Sequence, residues 1–586
     1  MGADLFPASL QVYIGEPCAS CYNCARYVDP EEESVIRIPQ DLTQRLRQAV
    51  ENAQKAGALP TFEIPPLKVT GTRRPEHGDY ATPAAMQLAK LARARPDQIA
   101  GILIEYFPQT EYIGSLERAG GFINFRLADS WLQQQVERIL EEGPSFARMD
   151  DFAGKRAQVE CVSANPTGPI TVGRVRGGVM GDTLARLLRA MGYDVELEYY
   201  FNNAGRQMRL LAESLRARYR ERLGLPFEFP EDGYQGDYLY DIADQLIAEH
   251  GAELADEEDL TPFKEYAEAK IFEMIRAALR RINIEFDNFF NENWLYENGA
   301  VDRVVEGLRE RGLVYEKDGA VWFKTTALGM DQDKVLIKST GEPTYRTPDI
   351  AYHINKLERG FDLAVNILGA DHIEEYPDVL AGLRALGYDD SRVKVLIHQF
   401  VTLKEGGETR RMSTRKGEFV TLDELVDEVG ADAVRYFMLA RSPESHMVFD
   451  LDLARKQSNE NPVYYIQNAH VRCVSIARVA EERGVSMEGG DVSLLTDPRE
   501  LALIRKLIEL PEVIDLCVRE LAPHKIAFWA HEELARVFHP TYEEIRALHS
   551  EVPEELARAR LKLYAAARVV LARTLDLMGM SAPERM

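Results

Sequence analysis

Three stretches of the chain carry residues suited to handling a phosphate. Residues 159–182, VECVSANPTGPITVGRVRGGVMGD, start apolar and β-tending and turn through Asn165-Pro166-Thr167-Gly168-Pro169. They continue with Gly173, Gly177, Gly178 and Gly181, and Leu184, Leu187 and Leu188 then share a helical face. Strand, tight turn and helix N-terminus together hold an anion against backbone N–H groups and the positive end of the helix dipole. No Gly-Lys-Ser/Thr follows, so this is not a Walker A loop, and it is not G-x-G-x-x-G either. The second stretch, Gly369-Ala370-Asp371-His372, follows the strand-like run 363–368. The third, RRMSTRKG at 410–417, puts four cations and two hydroxyls in one polar loop. Such a loop suits a triphosphate whose charge is stabilised in a transition state. Composition alone slightly favours a solvated basic loop.

These stretches sit on an alternating pattern. Residues 195–201 read as a strand that ends in NNAGRQM, and strand signals return at 320–323, 335–337, 363–368 and 394–403. In open α/β sheets, ligands bind outside the carboxyl ends of such strands. Residues 215–310 are mostly helical and charged and read as an insertion into this domain. Ahead of it, a helix from Asp41, strand-like runs at 62–64 and 67–69, a helix within 77–93 and a strand at 120–127 form a small α+β unit. A connecting helix spans 130–142. From about Ser458 the pattern is helical, with Leu501, Ile504, Leu507 and Ile508 in one stripe.

At 586 residues, the chain is long enough for three or four domains. No apolar run is long enough to span a bilayer. The start lacks the basic and apolar parts of a signal peptide, so the expected location is cytoplasmic. The net charge of −25 argues against non-specific coating of nucleic acid, yet leaves room for a shaped RNA partner held by local Lys/Arg patches. Cys18, Cys21 and Cys24 form C-x2-C-x2-C, but no His or Cys follows before His77, so a metal site lacks its fourth ligand locally. Residues 1–34 are read instead as a disordered leader.

Taken in order, the motifs resemble the class I arginyl-tRNA synthetases from about Ile36 to Met586. ANPTGPITVGR (164–174) stands where that family has its HIGH-type signature. NNAGRQM (202–208), KVLIKSTGEPTYRTPDIAYH (334–353), GADH (369–372), RMSTRKG (411–417), NENPVYYIQNAH (459–470) and APERM (582–586) follow in family order. HGDYAT (77–82) and GGFINF (120–125) match its N-terminal domain. The resemblance implies an α/β fold with a Rossmann-type catalytic domain at 157–445, its helical insertion at about 215–310. It also implies a tRNA-binding α+β domain at 35–128, a connecting helix at 129–156, and an all-α anticodon-binding domain at 446–586.

It implies an enzyme that makes arginyl-adenylate from L-arginine and ATP with Mg²⁺, passes the arginine to tRNA(Arg), and works as a monomer. Glu160, Ser163, Asn165, Tyr345 and Asp349 would hold the arginine, because a planar guanidinium calls for carboxylates in fork geometry. Pro166, Thr167, Gly168, Gly173, Gly369, Asp371, His372, Met412, Thr414 and Lys416 would hold ATP. Thr171, Gly173, Arg174, Arg411, Ser413 and Arg415 would stabilise the transferring phosphate. No resident metal site is implied. Two departures stand out. Thr171 and Arg174 occupy the places of the two signature histidines, and both keep hydrogen-bond donors. Arg411 stands where the family's loop often has Lys, and Lys338 and Lys416 are further candidate cations. Phe122 and Asn124 would touch the tRNA elbow, and Tyr542, His539 and Met586 are candidates for the anticodon side. A relative that binds tRNA but lost catalysis with its histidines is the alternative.

Overall fold

The structure, a computed structural model, describes residues 37–72, 74–374, 376–410 and 420–586. The leader with its three cysteines lies outside the described residues. So do Arg411, Met412, Ser413, Thr414, Arg415 and Lys416.

The N-terminal unit opens with the helix Ile38–Lys55, whose Leu42, Leu46, Ala49, Val50 and Ala53 are buried at helical spacing. It packs with an antiparallel sheet in the order β1 (Thr70–Gly71), β2 (Tyr80–Thr82), β4 (Phe122–Leu127), β3 (Ile113–Ala119). The strands expected at 62–64 and 67–69 do not form. Pro60, Pro65 and Pro66 interrupt that segment and cannot donate to a ladder. Its Phe62, Ile64 and Leu67 pack on the core as an extended strap.

The central domain is built on five parallel strands. Their order is β12 (Val393–His398), β11 (Leu363–Gly369), β5 (Arg156–Glu160), β6 (Asp194–Phe201), β7 (Asn288–Asn291). From β5 the chain crosses to β6 on one side and later returns to place β11 on the other. The carboxyl ends of β5 and β11 therefore flank a topological switch point. The edge strand β7 corrects the reading of 215–310 as helical insertion, because residues 288–291 belong to the central sheet. Strands β8 (Val314–Lys317), β9 (Ala320–Phe323) and β10 (Lys334–Ile337) form a separate antiparallel sheet. The run 394–403 is two strands: β13 (Val401–Glu405) starts a third sheet with β14 (Glu408–Arg410) and β15 (Met447–Asp450).

The helix Val172–Ala190 crosses beneath the switch point. Its glycines explain how closely it approaches. A Cβ on Gly181 would sit 2.5 Å from Cys161 Sγ, one on Gly177 2.9 Å from His398 Nε2, and one on Gly178 2.9 Å from Val162. Gly181→Ala gains about 1 kcal/mol of helix propensity but overpacks a rigid strand end, at about 1–3 kcal/mol. The expected net result is a lower Tm in calorimetry.

Helices Pro462–Glu482, Pro498–Ile508, Leu510–Arg519 and Glu554–Leu577 are major members of the C-terminal bundle. The N-terminal unit docks on it through polar contacts. Tyr80 donates to Glu512 at 3.0 Å, Arg505 pairs with Asp79 at 2.6 Å, and Arg37 pairs with Asp515 at 2.7 Å. Withdrawal from water, with Glu509 nearby, pushes the Glu512 carboxyl up to about 8 against the Tyr80 hydrogen bond. Its folded pKa is above its unfolded value, so the folded state favours the protonated form. The stability this contributes is lost as pH rises toward and through about 8. Scanning calorimetry should show Tm declining between pH 6 and pH 8.5, and Glu512→Gln is expected to flatten that decline; an unchanged decline would assign it to other groups.

Candidate active site

Strand β5 ends at Glu160, and the chain leaves it through Val162 (φ +66°) and Ser163 (φ +41°). A β-branched residue in the left-handed region is strained, and such strain persists where the surroundings over-determine it. Here it brings the Ser163 hydroxyl back to donate to Glu160 Oε1 at 2.9 Å. The Asn-Pro-Thr-Gly turn follows. Tyr199 donates to Ala164 O at 2.8 Å, and Tyr238, from the insertion, donates to Thr167 O at 2.6 Å. The Tyr238 ring would lie 3.2 Å from a Cβ on Gly168, so this glycine admits the ring. Asn165 is exposed; its Oδ1 accepts from Asn202 N at 3.0 Å and its Nδ2 donates to Gln207 at 2.8 Å. NNAGRQM is thereby fastened to the turn.

Glu160 is buried, and its second oxygen accepts from Lys356 Nζ at 2.6 Å. Lys356 was not expected in the site. It is fully buried, lies 4.1 Å from the Tyr352 ring centroid, and also donates to Asn366 Oδ1. Asn366 donates in turn to His353 Nε2 at 3.0 Å, leaving Nδ1 to donate to Asp349 O at 2.7 Å. Burial, reinforced by Lys356, lowers the His353 pKa to about 3, so the ring is neutral and its tautomer is set by these partners. A chain of hydrogen bonds thus links Glu160 on β5 to the backbone at Asp349. Tyr345 and Asp349 stand one turn apart, at the start of the helix Arg346–Glu358. Tyr345 is 76% exposed and Asp349 half-buried. Tyr200 lies within electrostatic reach of Glu292, Asp349 and Glu160, and burial followed by these carboxylates pushes its pKa well up. Glu160 and Asp349, from a strand end and a helix start, are thus both within electrostatic reach of one tyrosine.

The candidate phosphate residues Thr171, Gly173 and Arg174 lie at the start of the helix Val172–Ala190. Thr171 is its N-cap residue, with no side-chain capping bond. Gly173 and Arg174 are exposed, and a Cβ on Gly173 would meet nothing within 4 Å. The Arg174 side chain has no hydrogen-bond or ion-pair partner among the described residues. Arg176, by contrast, is fully buried and donates to the carbonyls of Gln399 (2.8 Å), Ser442 (2.8 Å) and Ser445 (3.0 Å). Of the two signature arginines, one is structural and one is available. The chain resumes after 411–419 at this same helix start: Val172 N donates to Val420 O at 3.1 Å and Leu422 N to Ile170 O at 2.8 Å. Before residue 411, β14 pairs with β13, and after residue 419, Thr421 bridges to Thr171.

Gly369 closes β11, and a Cβ there would meet Asp371 Oδ1 at 2.5 Å, so the glycine lets that carboxylate fold back. Asp371 and His372 pair at 3.7 Å and remain well exposed. His398, at the end of β12, is a second residue that the sequence did not single out. It is buried beside Gly177, and burial together with Arg176 and Arg174 lowers its pKa. Lys338 lies 3.6 Å from Glu342 on the surface.

Three family descriptions match the chain: "Arginyl tRNA synthetase N terminal domain" at residues 40–127, "tRNA synthetases class I (R), catalytic domain" at 135–452, and "DALR anticodon binding domain" at 466–586. The chain belongs to the class I arginyl-tRNA synthetases. The arginine–tRNA ligase of Desulfotalea psychrophila is 49% identical over 520 residues, covering 87% of this chain and 94% of that protein. That of Salinibacter ruber is 48% identical over 546 residues, covering 90% and 96%. A putative arginyl-tRNA synthetase structure from Campylobacter jejuni has a TM-score of 0.72 at 31% identity, covering 78% of this chain and all of that one. The Thermus thermophilus arginyl-tRNA synthetase shares the fold, with a TM-score of 0.72 at 23% identity, covering 94% of this chain and all of that one. The chain is thus an arginine–tRNA ligase, an ATP-dependent enzyme whose partners by family are arginine, ATP and tRNA. Nothing in these matches favours a non-catalytic relative. Among the described residues, no helix is long and apolar enough to cross a membrane.

The RNA candidates divide by exposure. Phe122 is 42% exposed beside the Gly120-Gly121 turn, and Met586 is 54% exposed. Asn124 is 5% exposed within β4, between β2 and β3, so its side chain is not presented to a partner. His539 is buried, and its Nε2 donates to Tyr465 O at 2.9 Å. Tyr542 is half-buried between the rings of Phe538 (5.7 Å) and Tyr564 (5.2 Å). The periodicity of their elements could not separate these fates.

Proposed function

We propose that this arginine–tRNA ligase binds its substrate guanidinium at Asp349 and Glu160, with Tyr345 closing over it, and positions the substrate's backbone groups through Ser163 and Asn165. The observation that carries this reading is the buried Glu160, held between Lys356 and Ser163 at the carboxyl end of the strand facing Asp349. Lys356 keeps Glu160 oriented, and the neutral His353 holds the first turn that presents Asp349. The arginine carboxylate attacks the α-phosphorus of ATP, pyrophosphate leaves, and a tRNA 3′-terminal hydroxyl then takes the arginyl group and releases AMP. No side-chain nucleophile is needed; position and positive charge do the catalysis.

ATP lies over Pro166–Gly168 and Gly369, with its ribose near Asp371 and His372. Thr171, the Gly173 backbone and Arg174 meet its phosphates. Arg411, Met412, Ser413, Thr414, Arg415 and Lys416 supply further donors and cations to them. Mg²⁺ enters with the triphosphate as part of the substrate. Among the described residues, no three His, Cys, Asp or Glu side chains converge into a protein-built cage. The enzyme works as a monomer in the cytoplasm. ATP–pyrophosphate exchange with arginine, with and without tRNA, tests the whole reading: exchange requiring arginine and ATP is expected, and none under either condition defeats it.

Phe122 serves as a stacking platform for an unpaired base of tRNA. Phe122→Ala is expected to raise KM for tRNA about tenfold, from about 1–3 kcal/mol of stacking. Tm and tRNA-independent arginine binding should not change. An unchanged tRNA KM would remove Phe122 from the interface. Met586 is proposed as the anticodon-side contact, with Tyr542 offering the free edge of its ring cluster.

A further inference from the structure

A second concentration of arginine lies at the far end of the helix Val172–Ala190. Its last turns carry Arg186 and Arg189. With Arg148, which follows the connecting helix, and Arg573, near the end of the helix Glu554–Leu577, they line a cavity of about 350 Å³ that also includes Ser145 and Asp576. At about 1.5 Å per residue, this is roughly 24 Å along the helix from Gly173.

Charge is unbalanced there. Arg186 pairs with Asp182 at 2.8 Å, and Arg435 shares the same carboxylate at 2.5 Å. Arg189 pairs with Asp287 at 3.1 Å, and Arg573 with Asp576 at 2.8 Å. Four arginines therefore line the cavity with one carboxylate, Asp576, while Asp182 and Asp287 pair with Arg186 and Arg189 from outside the lining and the buried Arg435 takes part of the charge of Asp182. Arg148 is exposed, and its guanidinium has no hydrogen-bond or ion-pair partner among the described residues. The Nε of Arg573 is buried and has no acceptor among them. Burial first, and then Arg148 and Arg186, hold the Arg573 pKa below its ordinary value against the pull of Asp576. In a chain of net charge −25, a cluster of cations short of anions is not the consequence of a generally basic surface. Guanidinium forks take phosphate oxygens in pairs. A nucleic-acid backbone lays its charges out in a line, whereas these arginines converge on one concavity of small-molecule size.

We propose that this cavity binds a compact oligophosphate, either inorganic or the phosphate tail of a nucleotide, at a site separate from the ATP crevice. Equilibrium dialysis of the full chain against labelled tripolyphosphate at physiological ionic strength tests it. Two sites per chain are expected. Arg148→Glu should leave one, with affinity at the other falling at least about tenfold, equivalent to about 1.4 kcal/mol. The Arg148 guanidinium has no partner to lose, so the variant's Tm should hold, and arginine-dependent exchange at saturating ATP should keep its rate. Competition by pyrophosphate and by GTP then distinguishes an inorganic ligand from a nucleotide tail. One site in the unaltered chain, or two undiminished sites in Arg148→Glu, overturns the proposal. So does a variant that loses affinity for tRNA but for neither small phosphate, because that assigns the arginines to RNA.

Discussion

Glu160→Gln is expected to lower kcat/KM for arginine by about a thousandfold and to destabilise the fold at the same time. The first effect comes from the substrate. A charge-assisted hydrogen bond to a guanidinium is worth about 1.5–3 kcal/mol, and a neutral amide offers one acceptor where the carboxylate offers two. The rest comes from misorientation, because Ser163 and Lys356 both hold Glu160 in place. A thousandfold corresponds to about 4 kcal/mol. The second effect comes from Lys356, which is fully buried; stranding one member of a buried pair costs about 3–5 kcal/mol. Two variants separate these effects. Lys356→Met should lose stability while keeping part of the arginine affinity. Glu160→Gln/Lys356→Met should recover much of the Tm without recovering the arginine KM, so the pair couples strongly in a double-mutant cycle. ATP affinity should change little in any of them. If Glu160→Gln leaves the arginine KM where it was, Glu160 is a structural partner of Lys356 and nothing more.

The pair also shows where reading the sequence stops. Glu160, Ser163, Asn165 and Asp349 lie in ordered motifs, so their presence in one site was expected from the chain alone. Lys356 lies on the same helix as Asp349, but its partners, Glu160 and Asn366, come from two different strands. Only the sheet order that sets β5 beside β11 brings them together, and burial that depends on such pairing leaves no local pattern. Arg176 and Arg174 illustrate the same limit. They are two residues apart and chemically identical, yet one is sealed among three carbonyls and the other is exposed. Strand β7 escaped notice because it is four residues long and flanked by charged helices. Its Phe289 ring stacks on Tyr199 at 5.1 Å across the sheet, a contact with no sequence period. Asn124 shows the reverse, since a motif match pointed outward to RNA while strand pairing on both sides buries the residue. The glycine spacing of the signature was legible, but its reason was not: Gly177, Gly178 and Gly181 are there because His398, Val162 and Cys161 press on the helix.

Arg174→Ala should reduce the maximal rate of arginine-dependent ATP–pyrophosphate exchange by about 10²–10³-fold, in line with about 2.7–4 kcal/mol for one preorganised donor at a developing charge. ATP binding in the ground state should weaken much less, because the contact strengthens as charge moves to the leaving pyrophosphate. The fold should not suffer, since Arg174 is exposed and its side chain carries no partner among the described residues. Thr171→Ala should have a smaller effect, because a neutral hydroxyl contributes less than a cation. The pH profile adds a further criterion. A signature imidazole titrates near pH 6.5, whereas a guanidinium stays charged throughout the working range. Activity that depends on Arg174 should therefore not decline between pH 6 and pH 8 on its account. Arg174→His should restore activity only in part, and most fully at the acidic end, where the ring carries a proton. An exchange rate unchanged in Arg174→Ala would remove this residue from the mechanism. The missing donor would then have to come from the loop at 411–417 or from His398. His398 is buried beside Gly177 and held below its ordinary pKa by burial, Arg176 and Arg174. It would serve as a neutral donor, and only His398→Asn, which keeps an N–H, should retain the rate that His398→Ala loses.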